Sequence, residues 1–252
     1  MRLAILSDIH GNLLALRAVV EDLARRGADH VINLGDSLSG PLLPLETAEF
    51  LMAQSWIHLA GNHERQLLDF SPERRGPSDR YAHSQLKPEV FQWMAGLRPT
   101  HRFSDEVFLC HGTPRSDMEY FLDTIDGAGV RAASAIEIEE RLGDVAGMVV
   151  ACGHTHIPRI ARAKDGRLLV NPGSVGLPAY EDGHPVYHVV ENGSPDARYA
   201  IVEKRGDSWQ AELIAVPYDH CPAARQAAAH GRGDWEAALT TGYLPEAARQ
   251  RP

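Results

Sequence analysis

Apolar residues along this chain come in short bursts that end in glycine-containing polar stops. Residues 2 to 7 run almost without a polar side chain, as expected of a strand covered on both faces. Gly11-Asn12 then opens a helix in which Leu13, Leu16, Val19, Val20 and Leu23 recur at helical spacing until Gly27 stops it. Val31 to Leu34 reads as a second strand ending in Gly35-Asp36. Residues 45 to 54 read as helix, and Trp56 to Ala60 as a third strand ending in Gly61-Asn62-His63. Strands and helices alternating over short connections predict βαβ units and a mostly parallel sheet.

The pattern changes after residue 70. Residues 70 to 98 are rich in Arg, Ser and Pro, with helical spacing from Lys87 to Leu97, and read as an insertion over the sheet. Phe103 to Cys110 and Met148 to Cys152 are predicted as buried strands, with a helix between them over Arg131 to Leu142. The chain then reads as antiparallel: Arg159 to Ala163, an Asp165-Gly166 turn and Leu168 to Val170, followed by strands near 186–191, 199–204 and 210–216. The expected organisation is one domain over 1–218 with the insertion at about 70–98. Residues 219–252 follow as a tail of two short helices with a frayed end.

Composition narrows the chemistry. The 252 residues carry 25 basic against 34 acidic side chains, a formal charge of −9, so binding of nucleic acid by bulk charge is not expected. No apolar run approaches the ~18–20 residues that span a bilayer, and Met1-Arg2 leads straight into the first strand, so neither a membrane anchor nor a secretory leader is expected. Cys110, Cys152 and Cys221 stand singly, which fits buried thiols in a reducing, cytoplasmic compartment rather than a disulfide framework.

Five predicted strands end in metal-capable side chains: Asp8-Ile9-His10, Gly35-Asp36, Gly61-Asn62-His63-Glu64, His111-Gly112 and Gly153-His154-Thr155-His156. Ligands of open α/β sheets gather at the carboxyl ends of strands, so these clusters are expected to converge at one edge of one sheet. Carboxylate, imidazole and amide oxygen without thiolate suit catalytic divalent metals rather than a structural zinc.

The ordered set D-x-H, G-D, G-N-H-[D/E], H, G-H-x-H resembles the signature of the calcineurin-like metallophosphoesterases, and Asn171-Pro172-Gly173-Ser174 is similar to a turn of the small bacterial phosphodiesterase and diadenosine-tetraphosphatase-related branch. The resemblance implies an α/β fold of four layers, two mixed β-sheets packed together and flanked by helices. It implies two divalent metal ions, drawn from Mn, Fe, Ni, Co or Zn. Asp8, His10 and His156 would hold one, Asn62, His111 and His154 the other, with Asp36 between them. It implies a water activated by the metals attacking phosphorus in a phosphomonoester or phosphodiester, and His63 acting on the transition state or leaving group. Dinucleoside polyphosphates, phosphoproteins or a non-catalytic scaffold role are the alternatives, and the expected partner is a small phosphate ester, possibly a nucleotide.

The chain also departs from the pattern. The phosphoprotein phosphatases carry G-D-x-x-D-R-G, but here Ser39 and Gly40 stand where the Asp and Arg would be, so His63 lacks the carboxylate that orients it, and Glu64 is an awkward substitute. Arg74, Arg75, Arg80 and His83 of the insertion read as a solvated helix face rather than phosphate contacts. Tyr180, His184 and His188 read as surface or core residues, and Asn171 and Ser174 as braces for the metal loops.

Overall fold

The computed structural model describes residues 1–127 and 129–249. In chain order, β1 (Arg2–Leu6), α1 (Leu13–Arg26), β2 (His30–Asn33), α2 (Pro44–Met52) and β3 (Ile57–His58) give the predicted alternation. They are followed by α3 (Asn62–Asp69), α4 (Pro77–Gln85), α5 (Pro88–Ala95), β4 (Thr100–Arg102) and β5 (Val107–Cys110). Next come the hairpin β6 (Asp123–Asp126) and β7 (Gly129–Ala132), α6 (Ala135–Leu142), β8 (Val149–Ala151), β9 (Arg159–Arg162) and β10 (Leu168–Asn171). The chain closes with β11 (Ala179–Asp182), β12 (His188–Glu191), β13 (Ala197–Arg205), β14 (Ser208–Val216), α7 (Cys221–Ala229), α8 (Gly233–Thr241) and α9 (Glu246–Arg249).

Two five-stranded mixed sheets carry the fold, in the orders β14-β13-β1-β2-β3 and β4-β5-β8-β10-β9. β1, β2 and β3 run parallel in the first, as do β5, β8 and β10 in the second. The sheets face each other, and the alternation of side chains shows why their strands are apolar throughout. Leu3 and Ile5 of β1, Val107 and Leu109 of β5, Val149 and Ala151 of β8, and Leu168 and Val170 of β10 fill the space between the sheets. The intervening residues point the other way. Ala4 and Leu6 meet Leu13, Leu16, Val19 and Leu23 of α1, while Cys110, Val150 and Leu169 meet Ile138 and Leu142 of α6. The result is the expected four-layer arrangement.

Several boundaries differ from expectation. The helix expected from Arg131 begins at Ala135, because Ser134 caps it: the Ser134 hydroxyl accepts from Glu137 N and the Glu137 carboxylate accepts from Ser134 N. Residues 129–132 pair instead with β6. The strand expected from Phe103 begins at Val107, after a turn that returns the chain from β4. Residues 70–98 hold α4 as well as α5, each opened by a proline in its first turn, and α3 grows directly out of the Gly61-Asn62 stop. β11 was not anticipated. The tail forms α7, α8 and α9 rather than two helices, and its expected frayed end at 250–252 lies outside the described residues. The tail packs Ala227, Trp235 and Leu239 on Leu42, Leu177 and Ala179.

Leu109 is fully buried between the sheets and Ile136 is 73% exposed. Leu109→Ala is therefore expected to lower the unfolding free energy by about 2–5 kcal/mol, against under about 0.5 kcal/mol for Ile136→Ala, as read from urea denaturation.

Candidate metal centre

The five polar stops converge, but from two sheets rather than one. Asp8 and His10 follow β1, Asp36 follows β2 and Asn62 follows β3. His111 follows β5, and His154 and His156 follow β8 of the facing sheet. Because β5 pairs with β4 and β8 rather than with β3, the second group arrives across the inter-sheet core. All seven candidate ligands are buried, with exposures from 0% for Asp8 to 7% for His154.

The backbone is bent to bring them there. Among the described residues, the non-glycine positions with positive φ are Asp8 (55°), His10 (53°), Asp36 (54°), His154 (67°) and His156 (59°). Left-handed geometry at a non-glycine residue costs of order 1–3 kcal/mol and persists only where the surroundings enforce it. Every such residue here is a candidate ligand. Gly61 is equally constrained, since a Cβ there would collide with the Asp36 carboxylate.

Hydrogen bonds fix which ring nitrogen faces inward. His10 Nδ1 donates to Ser39 O (2.7 Å), His111 Nδ1 to Leu34 O (3.0 Å) and His156 Nδ1 to Leu177 O (2.7 Å). Carbonyls only accept, so each Nδ1 carries a proton, and in the neutral ring each Nε2 presents its lone pair inward. His154 is reversed, with Nε2 on Met118 O at 3.1 Å.

The first cluster is Asp8, His10 and His156. There Nε2 of His10 lies 3.1 Å from Nε2 of His156, which lies 3.3 Å from Asp8 Oδ1. Asp8 Oδ1 is buried and has no hydrogen-bond partner. Three potential ligand atoms thus crowd one another in a buried space, an arrangement that a cation would relieve.

The second cluster is Asp36, His111 and His154, and Asn62 joins it with Oδ1 3.2 Å from His111 Nε2. Asp36 Oδ2 lies 3.1 Å from the same nitrogen, and Asp8 Oδ1 lies 3.9 Å from it, so the clusters abut.

The protonation balance follows from this packing. Burial, and then His156, pushes His10 down to about 3, and burial, and then His111, pushes His154 down to about 4. Burial would raise Asp8, but His156 and His111 hold it at about 2. His111 is the exception: burial opposes its charge, yet Asp36 and Asp8 raise it to about 10, so the buried carboxylates favour positive charge in this cluster.

His63 sits beside the clusters with its backbone N donating to Asp36 Oδ1 at 2.8 Å. Its Nδ1 lies 2.8 Å from Asp79 Oδ1 on α4. Burial opposes the charged imidazole, but Asp36 and Asp79 raise it to about 9. Glu64 does not orient His63. It turns back to accept from Asp36 N, Ser37 N and Gly61 N, each at 2.8 Å, and so clamps the loop bearing Asp36 to the start of α3.

The expected braces are in place: Asn171 donates to Gly153 O (2.8 Å) and Thr155 Oγ1 (3.1 Å), and Ser174 Oγ donates to Asp8 O (2.7 Å). Asp123 adds another, accepting from Thr155 Oγ1 at 2.9 Å while paired with Arg159.

The clusters floor a cavity of about 480 Å³, walled by Ser78, Tyr180, Arg232 and Trp235. Tyr180 is therefore a wall rather than a bland core or surface residue. Its ring centroid lies 4.6 Å from that of His156, and its hydroxyl lies 2.6 Å from that of Tyr120, which reaches His188 Nε2 at 2.7 Å. Arg74 lies over Phe70 and Arg75 donates to Leu67 O, so neither takes part. Sequence reasoning missed Tyr120, Asp79 and Asp123. None adjoins a motif, and only folding brings them to the rim.

The model of the calcineurin-like phosphoesterase superfamily domain matches residues 1–193, and the chain belongs to that family. A metallophosphoesterase from Sphaerobacter thermophilus is 25% identical, with a TM-score of 0.71 over 100% of this chain and 97% of that one. The hypothetical protein PH1004 from Pyrococcus horikoshii OT3 shares the fold, with 18% identity, a TM-score of 0.69 and coverage of 97% and 99%. The uncharacterized protein MJ0912 of Methanocaldococcus jannaschii is 25% identical over 242 residues, covering 86% of this chain and 88% of its own length. Among the described residues, no helix is long and apolar enough to cross a membrane.

Glu64→Ala leaves three buried N–H groups unpaired and is expected to lower stability by at least about 2 kcal/mol in urea denaturation of metal-free protein. The exposed Glu73→Ala is expected to change it by under about 0.5 kcal/mol.

Proposed function

We propose that this protein is a binuclear metal-dependent phosphoesterase that hydrolyses small phosphomonoesters or phosphodiesters. The observation that carries the reading is the pair of abutting buried clusters whose imidazole and carboxylate lone pairs converge at the floor of one cavity. Asp8, His10 and His156 would hold one divalent ion, Asn62, His111 and His154 the other, and Asp36, set between the groups, both. The donor set of oxygen and imidazole nitrogen fits Mn, Fe, Ni, Co or Zn and leaves the choice among them open. When bound, such a pair supplies an activated water near neutral pH and offsets the charge on phosphoryl oxygens.

The protein's own residues do the rest. The carbonyls of Ser39, Leu34 and Leu177 hold three imidazoles in the tautomer that leaves Nε2 free. Glu64 and Ser174 fix the loops of Asp36 and Asp8, so the donors need no rearrangement as charge develops. His63 lines the cavity and would serve as general acid. As the water oxygen bonds to phosphorus, the bond to the ester oxygen breaks, and that oxygen keeps the electron pair and takes the proton from His63 Nε2. A cavity of about 480 Å³ suits a small ester or nucleotide-sized group. Cys110 and Cys152 are buried as expected, whereas Cys221 is exposed; single cysteines of this kind fit a reducing cytoplasmic setting.

The test is turnover of p-nitrophenyl phosphate and bis-p-nitrophenyl phosphate by Mn-loaded protein. At least one ester is expected to be cleaved, with Asp36→Asn lowering kcat by about 100-fold or more and reducing bound metal. Failure to cleave either ester above the rate of His63→Ala contradicts the reading.

A further inference from the structure

The candidate proton donor His63 is paired through Nδ1 with a carboxylate that belongs to no strand-end motif. Asp79 lies on α4 of the insertion, with its side chain 3% exposed and Oδ1 2.8 Å from the imidazole. Burial alone would raise this carboxyl, but His63, and Ser39 beside it, hold it below the usual range as a carboxylate. The pairing takes up the Nδ1–H and leaves the Nε2 edge for the cavity that His63 lines.

The surroundings explain why the carboxylate comes from here. Ser39 is fully buried, and Gly40 cannot carry a side chain: a Cβ there would collide with His10 O and lie 2.7 Å from the Trp235 ring of α8. Trp235 of the tail stands where a side chain at 40 would reach, and Asp79 of α4 lies beside Ser39. The tail also fastens α4. Arg232 Nη1 donates to Ser78 Oγ at 2.9 Å, and the Tyr81 and His230 rings stand 4.7 Å apart. Arg232 is further held by Asp234, with Nη2 2.6 Å from Oδ2, so its guanidinium is committed to the clamp rather than free for phosphate.

We propose that Asp79 is a positioning residue, delivered by the helical insertion, that holds His63 by its Nδ1–H so that Nε2 points to the leaving-group oxygen. This rests on the phosphoesterase reading above. Asp79 touches no reacting atom. It fixes the ring and stabilises the imidazolium that gives up its proton, taking the place that the sequence leaves to a serine at position 39.

Two measurements test it. In metal-free protein, ¹H–¹⁵N NMR of the histidine rings is expected to show a downfield Nδ1–H signal for His63, identified by its absence in His63→Gln and lost in Asp79→Ala. In Mn-loaded protein, Asp79→Ala and the volume-conserving Asp79→Asn are expected to slow phenyl phosphate, whose leaving group needs a proton, by about 100-fold or more. Both variants should slow p-nitrophenyl phosphate by under about tenfold, with bound metal unchanged. Adding Ser39→Asp to Asp79→Ala is expected to recover at least tenfold on phenyl phosphate. Equal losses on the two esters, an unaltered His63 signal, or a double variant no faster than Asp79→Ala would overturn the assignment. Wild-type protein inactive on every ester would instead remove the enzymatic reading, and the NMR result would still decide the pairing.

Discussion

Buried lone pairs that face one another are the constraint from which the site follows. Nε2 of His10, Nε2 of His156 and Oδ1 of Asp8 crowd together, because carbonyl oxygens hold both Nδ1 hydrogens and turn the Nε2 edges inward. Such a set is unfavourable in a low-dielectric interior unless positive charge enters it. The second cluster makes the same demand, since Asp36 and Asp8 favour positive charge on His111 against its burial. The protein holds this arrangement by brute geometry: five left-handed non-glycine residues, a glycine pressed against Asp36, and a glutamate spent on three backbone amides.

The fold supplies the stiffness. Two sheets packed face to face present the ends of five strands to one rim, and helices cover both outer faces. Opposing donors come from separate sheets, so the distance between them is set by the inter-sheet packing of residues such as Leu109 and Ala151. Site geometry and core packing are therefore one problem here. Residues of the 70–98 segment and the tail, Ser78, Arg232 and Trp235, wall the cavity, while none is a candidate ligand.

What was legible in the sequence was whatever is local or periodic. The strand-end stops and the alternation of β1, α1 and β2 could be read because doubly buried strands are apolar in a row and α1 repeats at helical spacing. The convergence of Asp8, Asp36, Asn62, His111 and His154 could be read from motif order. The sharing of the rim between two sheets could not, since strand pairing across long separations leaves no local trace: β5 joins β8, and β1 joins β13. Ser134 with Glu137 carried a capping signal that would have placed the start of α6 correctly. Asp79 was invisible for a different reason. It sits in an unremarkable polar stretch, and only the docking of α4 against α3 and the tail brings it to His63.

Anomalous diffraction from crystals equilibrated with Mn is the measurement closest to the central claim. The account predicts two peaks roughly 3.5–4 Å apart, flanking Asp36, one among Asp8, His10 and His156 and the other among Asn62, His111 and His154. No peak in either cluster, or manganese bound only elsewhere on the molecule, would contradict it.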